Sequence, residues 1–277
     1  VRALVTGAAG FVGRALVATA PDGVEVVGTW RTTPVVGGVP AHRVDLADAA
    51  AAARLLAAVR PDVVVHTAYA TGDLGRDVVG ATAAVADAVA DVGAGLVHLS
   101  SDVVFSGEDP PYAETDPPSP VSAYGRAKAA AEAEVEVAVP DAAVVRTSLV
   151  LTPEQLDPRT SFVADALHAG RAVDCYEDEV RMPVHRDDLV TAVWALVQRD
   201  RAERAGAWHL VGPDALSRLD LGRLVRRAVG GDPGLVRAVP APQDPDDPRP
   251  RDLRLTCERA VATLGWRPRP LPPMYTA

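Results

Sequence analysis

Close to its start the chain sets three glycines, Gly7, Gly10 and Gly13, in the run TGAAGFVG, directly after the apolar triplet Ala3-Leu4-Val5. An apolar run that ends in glycines and resumes as an apolar stretch reads as strand, tight turn and helix. Such a turn needs positive φ or a missing Cβ, and the helix behind it offers N–H groups and the positive end of its dipole. It is a place where a dinucleotide pyrophosphate can lie against bare backbone, with Gly7, Gly10, Phe11, Val12 and Gly13 as its contacts. The plainer alternative is a strand packed closely on a helix, and the spacing GxxGxxG, rather than GxGxxG, leaves both readings open.

The residues beyond the turn bound the fold. Short apolar, valine-rich runs at residues 3–5, 24–28, 63–66, 96–99 and 143–146 alternate with alanine-rich stretches of helical length. Strand, helix, strand at this interval implies right-handed crossovers and a parallel sheet covered on both faces, so its strands are nearly continuous in Val, Leu and Ala. The expected class is α/β, a doubly wound parallel sheet of the Rossmann kind, with chemistry in the loops beyond the carboxyl ends of its strands. The alternation weakens after Leu149, where Thr152-Pro153, Asp157-Pro158 and residues 173–183 read as loops and short strands around a helix. Helices are then expected at 187–199, 219–229 and 257–264, a strand at 207–211 and a proline-rich acidic loop at 240–252. Residues 1–150 are thus expected to bind the dinucleotide. Residues 151–277 are expected to form a smaller substrate-binding lobe, with some chain returning to the first.

Composition narrows the partners. A formal charge of −9 over 277 residues sets net repulsion against a nucleic-acid backbone. Cys175 and Cys257 stand far apart without metal-ligand spacing, so neither a disulfide framework nor a metal site is expected. Val1 passes straight into the first strand with no leader pattern, and every apolar stretch breaks before the ~20 residues a membrane helix needs. The expectation is a soluble protein in a reducing cytoplasm, bound to neither nucleic acid nor membrane.

Tyr124 and Lys128 are four residues apart in an alanine- and glutamate-rich run, so on a helix they share a face. A free phenol has a pKa of about 10, and a neighbouring ammonium together with a positive nicotinamide favours its ionised form. Ser101, ending the strand LVHLSS, can give a further hydrogen bond to the substrate oxygen that gains or loses the proton. Ser101, Tyr124 and Lys128 are therefore the catalytic candidates, Lys128 also donating to the cofactor ribose. Alone, the Tyr/Lys pair also fits an ordinary helix surface; its order behind the glycine turn and Ser100-Ser101-Asp102 gives it meaning. At these residues the chain resembles the extended short-chain dehydrogenase/reductase family.

The runs RPDVVVHTAYA, LVHLSSDVVFSG, SAYGRAK and DEVRMPVHRDDL, followed by WHLVG, are similar to the dTDP-4-dehydrorhamnose reductase branch of that family. The resemblance implies deoxysugar biosynthesis: hydride from a nicotinamide reduces the ketone of a nucleotide-linked 4-keto-6-deoxy sugar. It puts Asp45 and Leu46 beside the adenine and Thr67, Ala68 and Tyr69, with Tyr124 and Lys128, along the ribose and phosphates. Ser101, Asp102, Val103, Arg181 and Pro183 face the substrate, where a guanidinium at Arg181 suits a diphosphate. Related dehydratases carry an Asp-Glu pair after the Ser/Thr; here Asp102 precedes Val103, so dehydration is not expected. Ser101, Val103 and Gly80 depart from the branch's usual Thr, Tyr and Asn, which leaves the exact sugar open.

Arg31, in GTWRTT after the second strand, favours NADP(H), because a basic group there neutralises a 2′-phosphate, with NAD(H) as second choice and Thr32 or Thr33 as further donors. Several readings stay double: Arg31 as a solvated arginine, Asp45 as a cap for the helix starting near Asp48, Asp102 as a loop-shaping residue, Arg181 as a surface arginine. His66 is read as a packed histidine rather than a proton donor, and Cys175 as a buried thiol. The rival functions are an epimerase, a reductase of a non-sugar ketone, and a non-catalytic NADP-binding regulatory subunit. A homodimer is compatible with all of them.

Overall fold

The first strand, β1 (Arg2–Thr6), is buried from Ala3 onward in the computed structural model, which describes residues 1–152 and 160–271. After α1 (Phe11–Ala18) come β2 (Glu25–Trp30) and the short strand β3 (Ala41–Arg43). Asp48 caps α2 (Ala49–Val59) by accepting from the N–H of Ala51 at 3.0 Å, and β4 (Val63–His66) comes next. A π-helical turn, Gly75–Gly80, leads into α3 (Ala81–Val92), β5 (Gly95–Ser101), α4 (Ala123–Ala138) and β6 (Ala143–Thr147). Then come β7 (Val150–Leu151), α5 (Ser161–His168), β8 (Val173–Tyr176), β9 (Val180–Arg181) and β10 (Val184–His185). The chain ends through α6 (Arg186–Val197), α7 (Arg201–Arg204), β11 (Gly206–Leu210), β12 (Leu216–Ser217), α8 (Arg218–Val229), β13 (Val236–Val239) and α9 (Glu258–Leu264).

Seven strands form one sheet in the order β11-β6-β5-β4-β1-β2-β3. β1 pairs in parallel with β2 on one side and β4 on the other, and β2 with β3 and β4 with β5 likewise. This is the doubly wound α/β class. Chain order reverses at β1, so the loops after β1 and β4 flank the switch point, where such sheets bind ligands. Leu4, Val27, Leu56, Val64, Val85 and Leu96 pack α2 and α3 on the sheet. Each such side chain, once buried, stabilises the fold by about 1.5–3 kcal/mol.

The chain divides into two compact units. The first holds Val1–Val104, Ala123–Arg146 and Val190–Trp208; the second holds Phe105–Ser122, Thr147–Leu189 and His209–Ala277. Residues 105–122, which a cut at residue 150 would leave in the first, belong to the second because Tyr112 bonds there. Its N–H donates to Arg254 O at 2.9 Å and its carbonyl accepts from Thr256 N at 2.8 Å. Small strand pairs β8/β13, β9/β12 and β7/β10 and a core of Val163, Leu167, Cys175, Leu219 and Val225 build the second unit. The expected turns at Pro153 and Asp157-Pro158 lie outside the described residues. Among those described, no helix is long and apolar enough to cross a membrane.

Candidate active site

Three glycines shape the turn after β1. Gly7 has φ +66, and a Cβ there would stand 2.9 Å from Ala68 Cα; at Gly13 it would stand 2.2 Å from the carbonyl oxygen of Gly7. Gly10 donates its N–H to that same oxygen at 2.8 Å and leads into α1. Backbone is thus bare where β1 passes into a helix N-terminus, as a pyrophosphate requires, with half-buried Phe11 and Val12 opening the helix. Gly13→Ala is expected to cost about 2–3 kcal/mol by overpacking against backbone. It should also weaken dinucleotide binding by about tenfold or more. A thermal melt and a fluorescence titration check both, and an unchanged affinity would separate the turn from binding.

The loop after β4 is tied to the turn through Thr6. Its Oγ1 accepts from the N–H groups of Thr67 at 3.1 Å and Ala68 at 3.3 Å, and lies 2.7 Å from His66 Nδ1. A hydroxyl with both lone pairs engaged gives its proton to Nδ1, so His66 carries its own proton on Nε2 and donates to Thr82 Oγ1 at 3.2 Å. The ring is fully buried, and burial first, then the Lys128 charge, brings its pKa down to about 3. His66 is a packed histidine that fixes the loop carrying Thr67, Ala68 and Tyr69. It stacks at 5.4 Å on His98, whose ring nitrogens have no hydrogen-bond partner among the described residues.

Tyr124 and Lys128 lie on α4, and Ser101 ends β5. Lys128 is 4 % exposed and donates from Nζ to the carbonyl of Leu99 at 2.7 Å. Burial lowers its pKa to about 8, against an opposing pull from Glu132, itself paired with Arg146 at 2.9 Å. The half-buried Tyr124 ring packs with Val78 and Ala127 and meets the exposed ring of Tyr69 at 6.2 Å. The hydroxyl of Ser101 donates to Asp102 Oδ1 at 3.1 Å. Asp102 is buried and Val103 half-buried, so the Asp102 carboxylate holds Ser101 from within the protein.

Arg31 reaches Asp77 rather than open solvent, its Nη1 donating to Oδ1 at 2.7 Å. Arg76 donates to the same oxygen at 2.5 Å and bonds Asp45 as well. The hydrogen bond from Arg31 holds the Asp77 carboxyl below its ordinary range, and that from Arg76 does the same for Asp45. Asp45 does not cap α2, a place taken by Asp48; it accepts instead from Ala47 N–H at 3.2 Å. Leu46 is part of the core beside Leu4 and Val27. Arg76 and Asp77 were not among the expected site residues. The only sequence signal is an adjacent charge pair following a Gly, and the π-helical turn that lifts both toward β2 has no pattern of its own.

In the second unit Arg181 is 4 % exposed and donates to Val180 O at 2.8 Å and Pro250 O at 3.1 Å. It also pairs with the fully buried Glu179 at 3.2 Å, whose carboxylate Arg218 and Arg249 each reach at 2.7 Å. Burial pushes the Glu179 carboxyl up, but the charges of Arg181, Arg218 and Arg249 outweigh it and hold it below its ordinary value. Arg181 is therefore not a surface arginine: its donors brace this segment. Pro183 is buried, and its carbonyl is so near Gly212 that a Cβ there would stand 1.9 Å away.

A doubly wound sheet, a glycine turn at its switch point, and a Ser, Tyr and buried Lys in the same unit define a short-chain dehydrogenase/reductase of the extended type, a class that works with NAD or NADP. The description "RmlD substrate binding domain" matches residues 1–272. A dTDP-4-dehydrorhamnose reductase of Mycolicibacterium smegmatis is 35 % identical over 283 residues, covering 96 % of this chain and 81 % of the relative. A crystal structure described as a hypothetical dTDP-4-dehydrorhamnose reductase from Sulfolobus tokodaii superposes with TM-score 0.82 at 25 % identity, covering 95 % of this chain and 94 % of that one. MoeE5, in complex with UDP-glucose and NAD, superposes with TM-score 0.84 at 25 % identity, covering 99 % and 96 %. The chain belongs to the RmlD substrate binding domain family and is an oxidoreductase of the extended short-chain dehydrogenase/reductase type, similar to sugar-nucleotide reductases.

Proposed function

We propose that the chain is a cytoplasmic NADPH-dependent reductase acting on the ketone of a nucleotide-linked 4-keto-6-deoxy sugar, with NADH as the second donor. The observation that carries this reading is the burial of Lys128 on the Tyr124-bearing helix, in the unit that also holds the glycine turn. An ammonium taken out of water is a cost to stability, and its use is chemical: it lowers the pKa of a nearby phenol. The nicotinamide, when bound, supplies the hydride. Tyr124 gives its phenolic proton to the ketone oxygen, Lys128 favours the phenolate left behind, and Ser101 turns its proton from Asp102 to the same oxygen.

In this reading Gly7, Gly10, Phe11, Val12 and Gly13 hold the pyrophosphate, Asp45 and Leu46 border the adenine, and Arg31 meets the 2′-phosphate. Thr67, Ala68 and Tyr69 line the ribose. By the family resemblance, Ser101, Asp102, Val103, Arg181 and Pro183 are the residues proposed to face the substrate. The M. smegmatis relative named for reduction of dTDP-4-dehydrorhamnose and the NAD and UDP-glucose held by MoeE5 support the cofactor and substrate classes.

The test is NADPH oxidation with a panel of nucleotide-linked 4-keto-6-deoxy sugars. Tyr124→Phe is expected to lower turnover by about 10²–10⁴-fold while leaving NADPH affinity within about threefold. A flat trace across the panel removes the sugar ketone as substrate. Firm NADPH binding without any turnover would favour a regulatory subunit instead.

A further inference from the structure

Arg31 and Arg76 converge on one carboxylate. Asp77 Oδ1 accepts from Nη1 of both, at 2.7 and 2.5 Å, while Asp45 bonds Arg76 and lies 4.0 Å from Arg31 Nη1. Two guanidiniums and two carboxylates cancel. The arginine side chains are 41 % and 47 % exposed, whereas that of Asp77 is only 11 % exposed, held beneath them. Asp45 is anchored separately by the N–H of Ala47, which leaves Asp77 as the carboxylate that engages Arg31 most directly.

A 2′-phosphate carries nearly two negative charges at neutral pH. To take it, Arg31 must share or surrender its bond to Asp77, and the phosphate must sit near that carboxylate's charge. We propose that Asp77 is a tethered competitor for the 2′-phosphate, and so a residue that sets how far this chain prefers NADPH over NADH. The inference rests on the reading that Arg31 receives the 2′-phosphate. It adds a carboxylate, on the turn after β4, that works against the arginine after β2.

Asp77→Asn keeps the size and one acceptor oxygen for both arginines and removes only the charge. Two like charges a few ångströms apart at a half-exposed site interact by about 1 kcal/mol or somewhat more, so a gain of about tenfold is expected. Calorimetric titration of adenosine 2′,5′-bisphosphate and of adenosine 5′-monophosphate should show it without turnover. In Asp77→Asn the bisphosphate binds about tenfold tighter and the monophosphate within about twofold of wild type. On an Arg31→Gln background the same substitution gains much less, because the guanidinium for which Asp77 competes with the phosphate is gone and Arg76 alone still bonds Asp77. The proposal is overturned if Asp77→Asn leaves the bisphosphate unchanged or weakens it while Arg31→Gln alone still loses it selectively. If Arg31→Gln leaves the ratio of the two ligands unchanged, the NADPH reading falls, and the role of Asp77 with it.

Discussion

Lys128→Met is expected to leave the protein more stable and nearly inactive. The lysine is buried, and its pKa falls from the ordinary 10.5 to about 8. A lysine depressed in the fold binds fewer protons there than in the unfolded chain between those values, so stability rises with pH across that window. Below about pH 8 the full penalty is present. At neutral pH it amounts to about 3 kcal/mol, at about 1.4 kcal/mol per unit. Methionine of similar length removes the charge and orphans only the carbonyl of Leu99, so a net gain of about 1–3 kcal/mol is expected. Loss of the ammonium should lower ketone reduction by about 10²-fold or more. In the wild type the reduction rate should likewise decline above about pH 8, where the ammonium gives up its proton. Denaturant melts and initial rates on the two proteins decide the matter. A variant that melts earlier, or keeps its rate, contradicts the account.

Acid should unfold this protein through two rings that cannot charge in place. His66 is held at a pKa of about 3, and burial, with the Lys128 and His66 charges, keeps His98 well below the ordinary 6.5. Unfolded histidines take up protons below 6.5 while these rings resist them in the fold, so stability is lost as pH falls below 6.5, for His66 down towards 3. His66 removes about 1.4 kcal/mol per pH unit, or about 2 kcal/mol by pH 5, and His98 acts in the same direction. Even the part due to His66 is appreciable against the 5–15 kcal/mol typical of a domain. His98→Leu strands no partner, because the ring nitrogens have none among the described residues, and should make the slope shallower. Melting temperatures between pH 7 and pH 5 that are flat for the wild type, or equally steep for the variant, would count against it.

What the sequence made legible was local. The glycine turn, the strands from β1 to β6 and the Tyr/Lys spacing on α4 come from period and turn chemistry within a few residues, and the structure has them where they were expected, β3 excepted. β3 was missed because all of its residues are exposed and it comes after Gly37, Gly38 and Pro40, so it has neither alternation nor apolar run. Its register against β2, Gly28 beside Ala41, makes it a strand. The site was legible in type but not in charge: the Ser, Tyr and Lys could be named, while the burial of Lys128 and the stacking of His66 on His98 arise only when strands 32 residues apart in sequence align. Arg181 shows the reverse, since a guanidinium suited to phosphate turns out to brace Glu179 from inside.

The interleaving of the two units has a consequence for how such a chain diversifies. It passes from one unit to the other at residues 104/105, 122/123, 146/147, 189/190 and 208/209, five junctions in all. No single recombination point exchanges the second unit as a cassette, and a truncation at any one junction cuts through at least one unit. A laboratory chimera that exchanges the second unit must therefore graft three segments at once.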